Sequence, residues 1–339
     1  MNSSTQLIDN QLISFGVFDN LNESFEKSEF EKDESQSEVL PDFQLIFLHG
    51  WASNKELWTN LINDLLTLEK EKNIEKTIET LDKNSTQKME NVENSNKVQP
   101  KSKIQTNFKK LQIFSLDLPG FGASEKLKDD WFVVDYTDLV VKFIEKNCQK
   151  NIPVIIIGHS FGGRIGIKLA SENLAKNSNS NQNLVLKNQT FVQNLMQKDY
   201  QISKLILIGS AGFVDNSVPN KLKKVIAKIL KPIFSFGIMH KFKKQIYQQV
   251  LKNDDYLQTS MKQTFINTID EDLTGFMKKI KIPTLLIFGD RDTETPPNFG
   301  QRMNQLIPNS TLQIISGDHF TFVDKSKEIA VLISEFLRK

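Results

Sequence analysis

Ile152-Pro153-Val154-Ile155-Ile156-Ile157-Gly158-His159-Ser160-Phe161-Gly162-Gly163 is the stretch whose reading decides the fold. Its apolar run, Ile152–Ile157, is short and rich in β-branched residues, the pattern of a buried strand. From about Phe161 to Asn173 the apolar residues take helical spacing instead. A strand that turns directly into a helix strains the residue at the corner and leaves its side chain exposed. That corner residue is Ser160, and glycines two positions before and two after it remove the Cβ atoms that would collide there. G-x-S-x-G between a strand and a helix is the setting in which a serine hydroxyl is presented as a nucleophile. The helix that starts behind Ser160 turns free N–H groups and the positive end of its dipole toward any negative charge that develops.

Outward from this corner the pattern repeats. Gln44–His49, Leu111–Leu116, Lys204–Ile208, Thr284–Phe288 and Thr311–Ile315 also read as short buried strands. Helical spacing separates them, after a capping Asn54 and near Trp131–Asn147, Asn298–Leu306 and Val323–Leu337, with a long helical region from Val218 to about Lys279. Buried strands alternating with amphipathic helices predict an α/β fold, a mostly parallel central sheet with helices on both faces. Three segments fall outside the pattern. Residues 1–40 carry nine Asp and Glu against two Lys and read as a largely flexible acidic segment, with Gln6–Phe18 alone expected as one or two edge strands. Glu69–Lys110 holds 17 charges among 42 residues and only eight apolar ones, too few to bury anything, and reads as a polar insertion. Lys176–Gln201, with six Asn and no Gly or Pro, reads as a second.

A serine nucleophile needs a base and a carboxylate to orient it. Of the four histidines, His49 ends a strand and His159 points away from the corner, so both read as buried structural groups, while His240 sits among lysines in a solvated segment. His319, in the loop after the last strand, is placed to swing over Ser160. The carboxylate should lie on a loop after a strand, between serine and histidine in the chain. Gly289-Asp290-Arg291-Asp292-Thr293-Glu294-Thr295-Pro296 supplies two candidates, Asp292 and Asp290, with Asp215 a weaker third. The order Ser, Asp, His differs from the orders of the chymotrypsin and subtilisin triads.

Taken together, His49-Gly50-Trp51, Asp117-Leu118-Pro119-Gly120-Phe121-Gly122, Gly158–Gly163 and the late Asp and His make the chain resemble the α/β-hydrolase superfamily over about residues 43–338, the insertions excepted. In that family the acid usually stands three residues after the glycine that ends its strand, often with a proline following, which favours Asp292. The resemblance also implies an oxyanion hole made of the backbone N–H groups of Trp51 and Phe161, and an architectural role for Asp117–Gly122. It further implies a helical cap, for which 212–279 is suited, threaded between the core segments 41–211 and 280–339. The expected activity is that of a serine hydrolase of esterase type with Ser160, His319 and Asp292 as its triad. A carbon–carbon bond hydrolase or an acyltransferase would reuse the same groups, and a receptor on this fold is disfavoured because no triad member is missing. Serine at the corner, rather than aspartate, argues against haloalkane dehalogenase and epoxide hydrolase chemistry.

Composition narrows the setting. A net charge of +2, with 39 Lys and only four Arg, makes no case for nucleic acid, whose bases favour bidentate Arg. One cysteine, Cys148, excludes a disulfide framework. No paired spacing of histidines suggests a metal, and no cofactor is expected. The first residues lack a basic and apolar leader, and no apolar run reaches the roughly 20 residues that span a bilayer. A cytoplasmic protein with a small acyl substrate is expected. Lys223, Lys224 and Lys228 lie on a basic amphipathic stretch of the cap that could meet an anionic membrane, although a solvated lysine face over the cleft is the preferred reading.

Overall fold

The computed structural model describes residues 2–20, 40–71, 109–172, 200–214 and 261–339. The strands are β1 (Asn2–Ile8), β2 (Gln11–Asp19), β3 (Phe43–Leu48), β4 (Leu111–Leu116), β5 (Val154–His159), β6 (Ile202–Ile208), β7 (Thr284–Gly289) and β8 (Ser310–Ile315). They form one eight-stranded sheet in the order β1-β2-β4-β3-β5-β6-β7-β8, antiparallel across β1, β2 and β4 and parallel from β4 to β8. β3 has β4 on one side and β5 on the other, so the chain reverses its winding there. The carboxyl ends of β3 and β5 therefore open a crevice between them, the place where ligands bind in open α/β sheets.

Alternation along each strand splits the core into two layers. Ile46, Leu48, Ile156, Leu205, Leu207, Leu286 and Phe288 face one side and pack against α2 (Val133–Asn147), α3 (Phe161–Glu172) and α6 (Pro297–Leu306). Leu45, Phe47, Ile155, Ile157, Ile206 and Ile287 face the other, covered by α1 (residues 59–71), α7 (Thr321–Asp324) and α8 (Ser326–Arg338). Asn54 accepts from the Glu56 N–H at 3.1 Å and starts the 3-10 turn Lys55–Trp58 that leads into α1. Two further helices, α4 (Lys262–Ile269) and α5 (Thr274–Met277), precede β7. Among the described residues no helix is long and apolar enough to cross a membrane.

Several boundaries differ from the sequence reading. The amino terminus is ordered beyond Gln6–Phe18, as a hairpin whose two-residue loop, Asp9-Asn10, takes positive φ at both positions (50° and 62°). That loop geometry matches the twist of paired strands. Glu69 belongs to the core rather than to an insertion. It is fully buried, accepting from Ser334 at 2.6 Å and from Arg338 at 2.5 Å. The closing helix is broken at Lys325, and the end of the long helical region is two short helices interrupted at Asp270–Leu273. Residues 72–108 and 176–199 of the two insertions, residues 21–39, Asp215, His240 and the cap lysines lie outside the described residues.

Candidate active site

The corner after β5 is as tight as its glycines imply. Ser160 has φ of +50°, the one strained position of the turn. A Cβ on Gly162 would stand 2.1 Å from the Leu48 carbonyl oxygen, and one on Gly158 2.5 Å from that of Gly162. Helix α3 can therefore start against the end of β3 only with glycine at these places. Phe161 opens the helix, so its N–H has no acceptor within it. Trp51 follows β3, and its ring meets that of Phe161 edge-on at 5.3 Å. The two expected oxyanion donors thus come from adjoining strand ends on the two sides of the crevice.

His319 and Asp292 are brought together. Nδ1 of His319 lies 2.8 Å from Oδ2 of Asp292, with both side chains buried. A carboxylate only accepts, so Nδ1 carries the proton. The Glu294 and Thr295 N–H groups donate to Oδ1 of Asp292 at 2.8 and 2.9 Å, and the Thr295 hydroxyl lies 2.8 Å from Oδ2 and 2.9 Å from the Gly209 carbonyl. Burial works against the charge on Asp292, but the hydrogen bond and charge of His319, with the donors of Thr295, hold its pKa below the usual carboxylate value. Burial likewise opposes the imidazolium of His319, yet the bond to Asp292 and the charges of Glu294, Asp292 and Asp318 raise its pKa above 6.5. Asp290 does other work: its carboxylate accepts from the Gly317 N–H at 2.9 Å and ties the loop after β7 to the loop that carries His319.

The two structural histidines stand where expected. His49 is buried, accepting at Nε2 from the Leu118 N–H at 3.0 Å and donating from Nδ1 to the Gly50 carbonyl at 2.7 Å, so it joins the loop after β3 to the Asp117 turn. Burial lowers its pKa and keeps it neutral. The Asp117 turn is architectural. Asp117 is fully buried and accepts from the Lys55 ammonium at 2.8 Å, the Lys55 N–H at 2.7 Å and the Ala123 N–H at 2.9 Å. Gly122 is obligatory beside it, because its φ is +56° and a Cβ would stand 2.3 Å from the carboxylate. His159 points away from the crevice and hydrogen-bonds to the backbone of His319 at 3.0 Å.

Two groups escaped the sequence reading. The carboxylate of Glu294 lies 3.4 Å from Nε2 of His319, the nitrogen not engaged by Asp292, and half of its side-chain surface is exposed. Burial pushes the pKa of Glu294 up, the charges of Asp292 and Asp318 add to this, and His319 opposes it. Arg164, one turn into α3, is buried and donates to the carbonyls of Glu271, Ile269 and Phe213, while Lys168 one turn later pairs with Glu271 at 2.6 Å. These cations fasten α4 over the crevice, where Phe265 meets Trp51 at 4.9 Å. Two basic residues spaced one turn apart on an otherwise buried helix were the available signal.

Comparison with known proteins agrees with this architecture. A family model described as the alpha/beta hydrolase fold matches residues 94–326. An uncharacterized hydrolase of Bacillus subtilis is 24% identical over 254 residues, which is 68% of this chain and 81% of that protein. A pimeloyl-[acyl-carrier protein] methyl ester esterase of Neisseria meningitidis is 24% identical over 231 residues, covering 66% of this chain and 82% of the relative. Among solved structures, an esterase from Exiguobacterium antarcticum superposes with a TM-score of 0.61 at 17% identity, covering 100% of each chain. With the match spanning most of its length, the chain belongs to the alpha/beta hydrolase family and is an alpha/beta hydrolase enzyme.

Proposed function

We propose that this chain is a cytoplasmic serine esterase that cleaves a small or medium-sized acyl substrate through an acyl-enzyme intermediate. The observation that carries the reading is the 2.8 Å pairing of His319 with Asp292, together with a serine held at positive φ on a strand–helix corner. His319 takes the proton of Ser160 as Oγ attacks the acyl carbon, and Asp292 holds the imidazole in the tautomer that leaves Nε2 free to accept. The N–H groups of Trp51 and Phe161 receive the oxyanion; one such donor is worth about 3 kcal/mol of barrier. The acyl–oxygen bond then breaks, its electron pair stays on the leaving oxygen, and Nε2 returns the proton to that oxygen. Water, deprotonated by His319, releases the acyl group in the second half.

The esterase relatives support an ester as the bond cleaved, and the single cysteine, half-buried and with its thiol pushed up to about 12 by burial, suits a reducing compartment. A fluorophosphonate probe is expected to label Ser160, and p-nitrophenyl esters of graded chain length to be turned over by the native protein and not by Ser160→Ala. An unlabelled serine, or ester turnover that survives the substitution, would overturn the reading.

A further inference from the structure

We propose that Glu294 selects the charge of the leaving group, favouring esters of cationic alcohols over neutral ones and disfavouring anionic ones. The inference rests on the esterase reading and deepens it. In that mechanism the leaving oxygen receives its proton from Nε2 of His319, so it must come within hydrogen-bond distance of that atom. Oε2 of Glu294 is 3.4 Å from the same atom. The first few atoms beyond the leaving oxygen therefore lie against this carboxylate, whatever the acyl half is.

Three features make Glu294 a charge that a substrate would feel. Asp292 is turned inward, its oxygens taken by His319, Thr295 and two backbone N–H groups, so its charge is spent on the base. The Glu294 carboxylate is turned outward and half exposed, within reach of a bound molecule. Its one ion-pair partner among the described residues is the imidazole itself, which is neutral when it acts as a base. The nearby Asp318 adds charge of the same sign, with one carboxylate oxygen held by the Phe320 N–H at 2.8 Å. The chemistry recognised is an ammonium on the alcohol side of the ester.

The test compares two esters of one acyl group that differ only in charge: the choline ester and the 3,3-dimethylbutyl ester, which has a tert-butyl group where choline has trimethylammonium. The acyl group is the one that a graded panel shows to be turned over best. The ratio of kcat/KM for the cationic ester to that for the neutral one is expected to exceed unity in the native protein. It should fall by about five- to tenfold in Glu294→Gln, the scale of one partly screened charge pair, and drop below unity in Glu294→Lys. Because the ratio is internal to each variant, a general loss of activity does not move it. A ratio that is unchanged in both variants while both esters are hydrolysed overturns this proposal and leaves the esterase reading intact. No turnover of any ester in the panel overturns the esterase reading itself, and this inference with it.

Discussion

His159 donates through Nε2 to the backbone carbonyl of His319 across 3.0 Å, so the residue before the corner serine grips the loop that carries the proposed base. A carbonyl only accepts, which puts the proton of His159 on Nε2. Complete burial holds its pKa well below 6.5 and keeps it neutral. Its ring packs against those of His319 at 4.6 Å, Phe322 at 4.7 Å and Phe320 at 5.5 Å. His159 is a positioning residue for the geometry between strand β5 and the loop after β8.

Removing the donor while keeping a ring tests this. In His159→Phe, kcat on a p-nitrophenyl ester is expected to fall about 10- to 100-fold through misplacement of the base, with KM little changed. Loss of the hydrogen bond, with a buried carbonyl left unpaired, should cost about 1–3 kcal/mol in urea unfolding. His159→Gln, which can still donate, should recover part of kcat. Equal kcat in Phe and Gln variants would show that only packing matters.

The two aspartates of the Asp290-Arg291-Asp292 turn separate cleanly by substitution. Asp292→Asn removes the acceptor that selects the imidazole tautomer, and a change of that kind costs about 10⁴-fold in kcat in a Ser-His-Asp site. Asp290→Ala frees the Gly317 N–H and should cost about 1 kcal/mol of stability with kcat lowered far less. Steady-state kinetics beside urea unfolding of the two variants decides the assignment, and a reversed ranking of kcat would reject Asp292.

The contrast between these residues shows what a sequence can carry. The corner at Ser160 was legible because its geometry is local: strand, glycine spacing and helix all lie within a dozen residues. His319 followed from its loop after the last buried strand, and His49 and His159 from the end of a strand and the far side of the corner. Loop position left Asp292 and Asp290 both open, and only the family resemblance favoured Asp292. Glu294 was invisible because its distance from Nε2 depends on how one tight turn is folded around Asp292, which spacing does not encode. Glu69 was misread for the opposite reason, since the groups that justify its burial lie 265 and 269 residues away. Strand β1 gave no apolar signal over Asn2–Gln6, because that part of an edge strand is exposed or half-buried.

The pH profile reports on the carboxylates around the base. In the proposed mechanism His319 must be neutral to accept the proton of Ser160. Burial lowers its pKa, but the hydrogen bond to Asp292 and the charges of Glu294, Asp292 and Asp318 outweigh it, so the pKa lies above 6.5. The acid limb of kcat/KM is therefore expected above 6.5, with activity rising as pH rises through it. Glu294→Gln removes one negative charge, makes the imidazolium less favourable and should move that limb to lower pH. Profiles of both proteins on an uncharged ester check the sign; a limb that stays in place or moves upward contradicts it.

The pairing of Glu69 with Arg338 gives a prediction about stability alone. Glu69 is fully buried where α1 packs on α8, and its oxygens accept from Ser334, Arg338 and the Lys109 N–H. Removing one partner of a buried pair leaves an uncompensated charge, whereas replacing both by apolar groups of similar size is often neutral. Arg338→Met should therefore destabilise by about 3 kcal/mol, the low end of the range for buried pairs because 28% of its side-chain surface is exposed. Adding Glu69→Leu to Arg338→Met should restore most of that loss, since no buried carboxylate then remains. Urea unfolding of the two single variants and the double variant closes the cycle. The turnover number at low temperature should match the native value in all three, because the pair touches none of the groups around His319. A double variant no more stable than Arg338→Met would mean that Glu69 is held by Ser334 and the backbone rather than by the arginine.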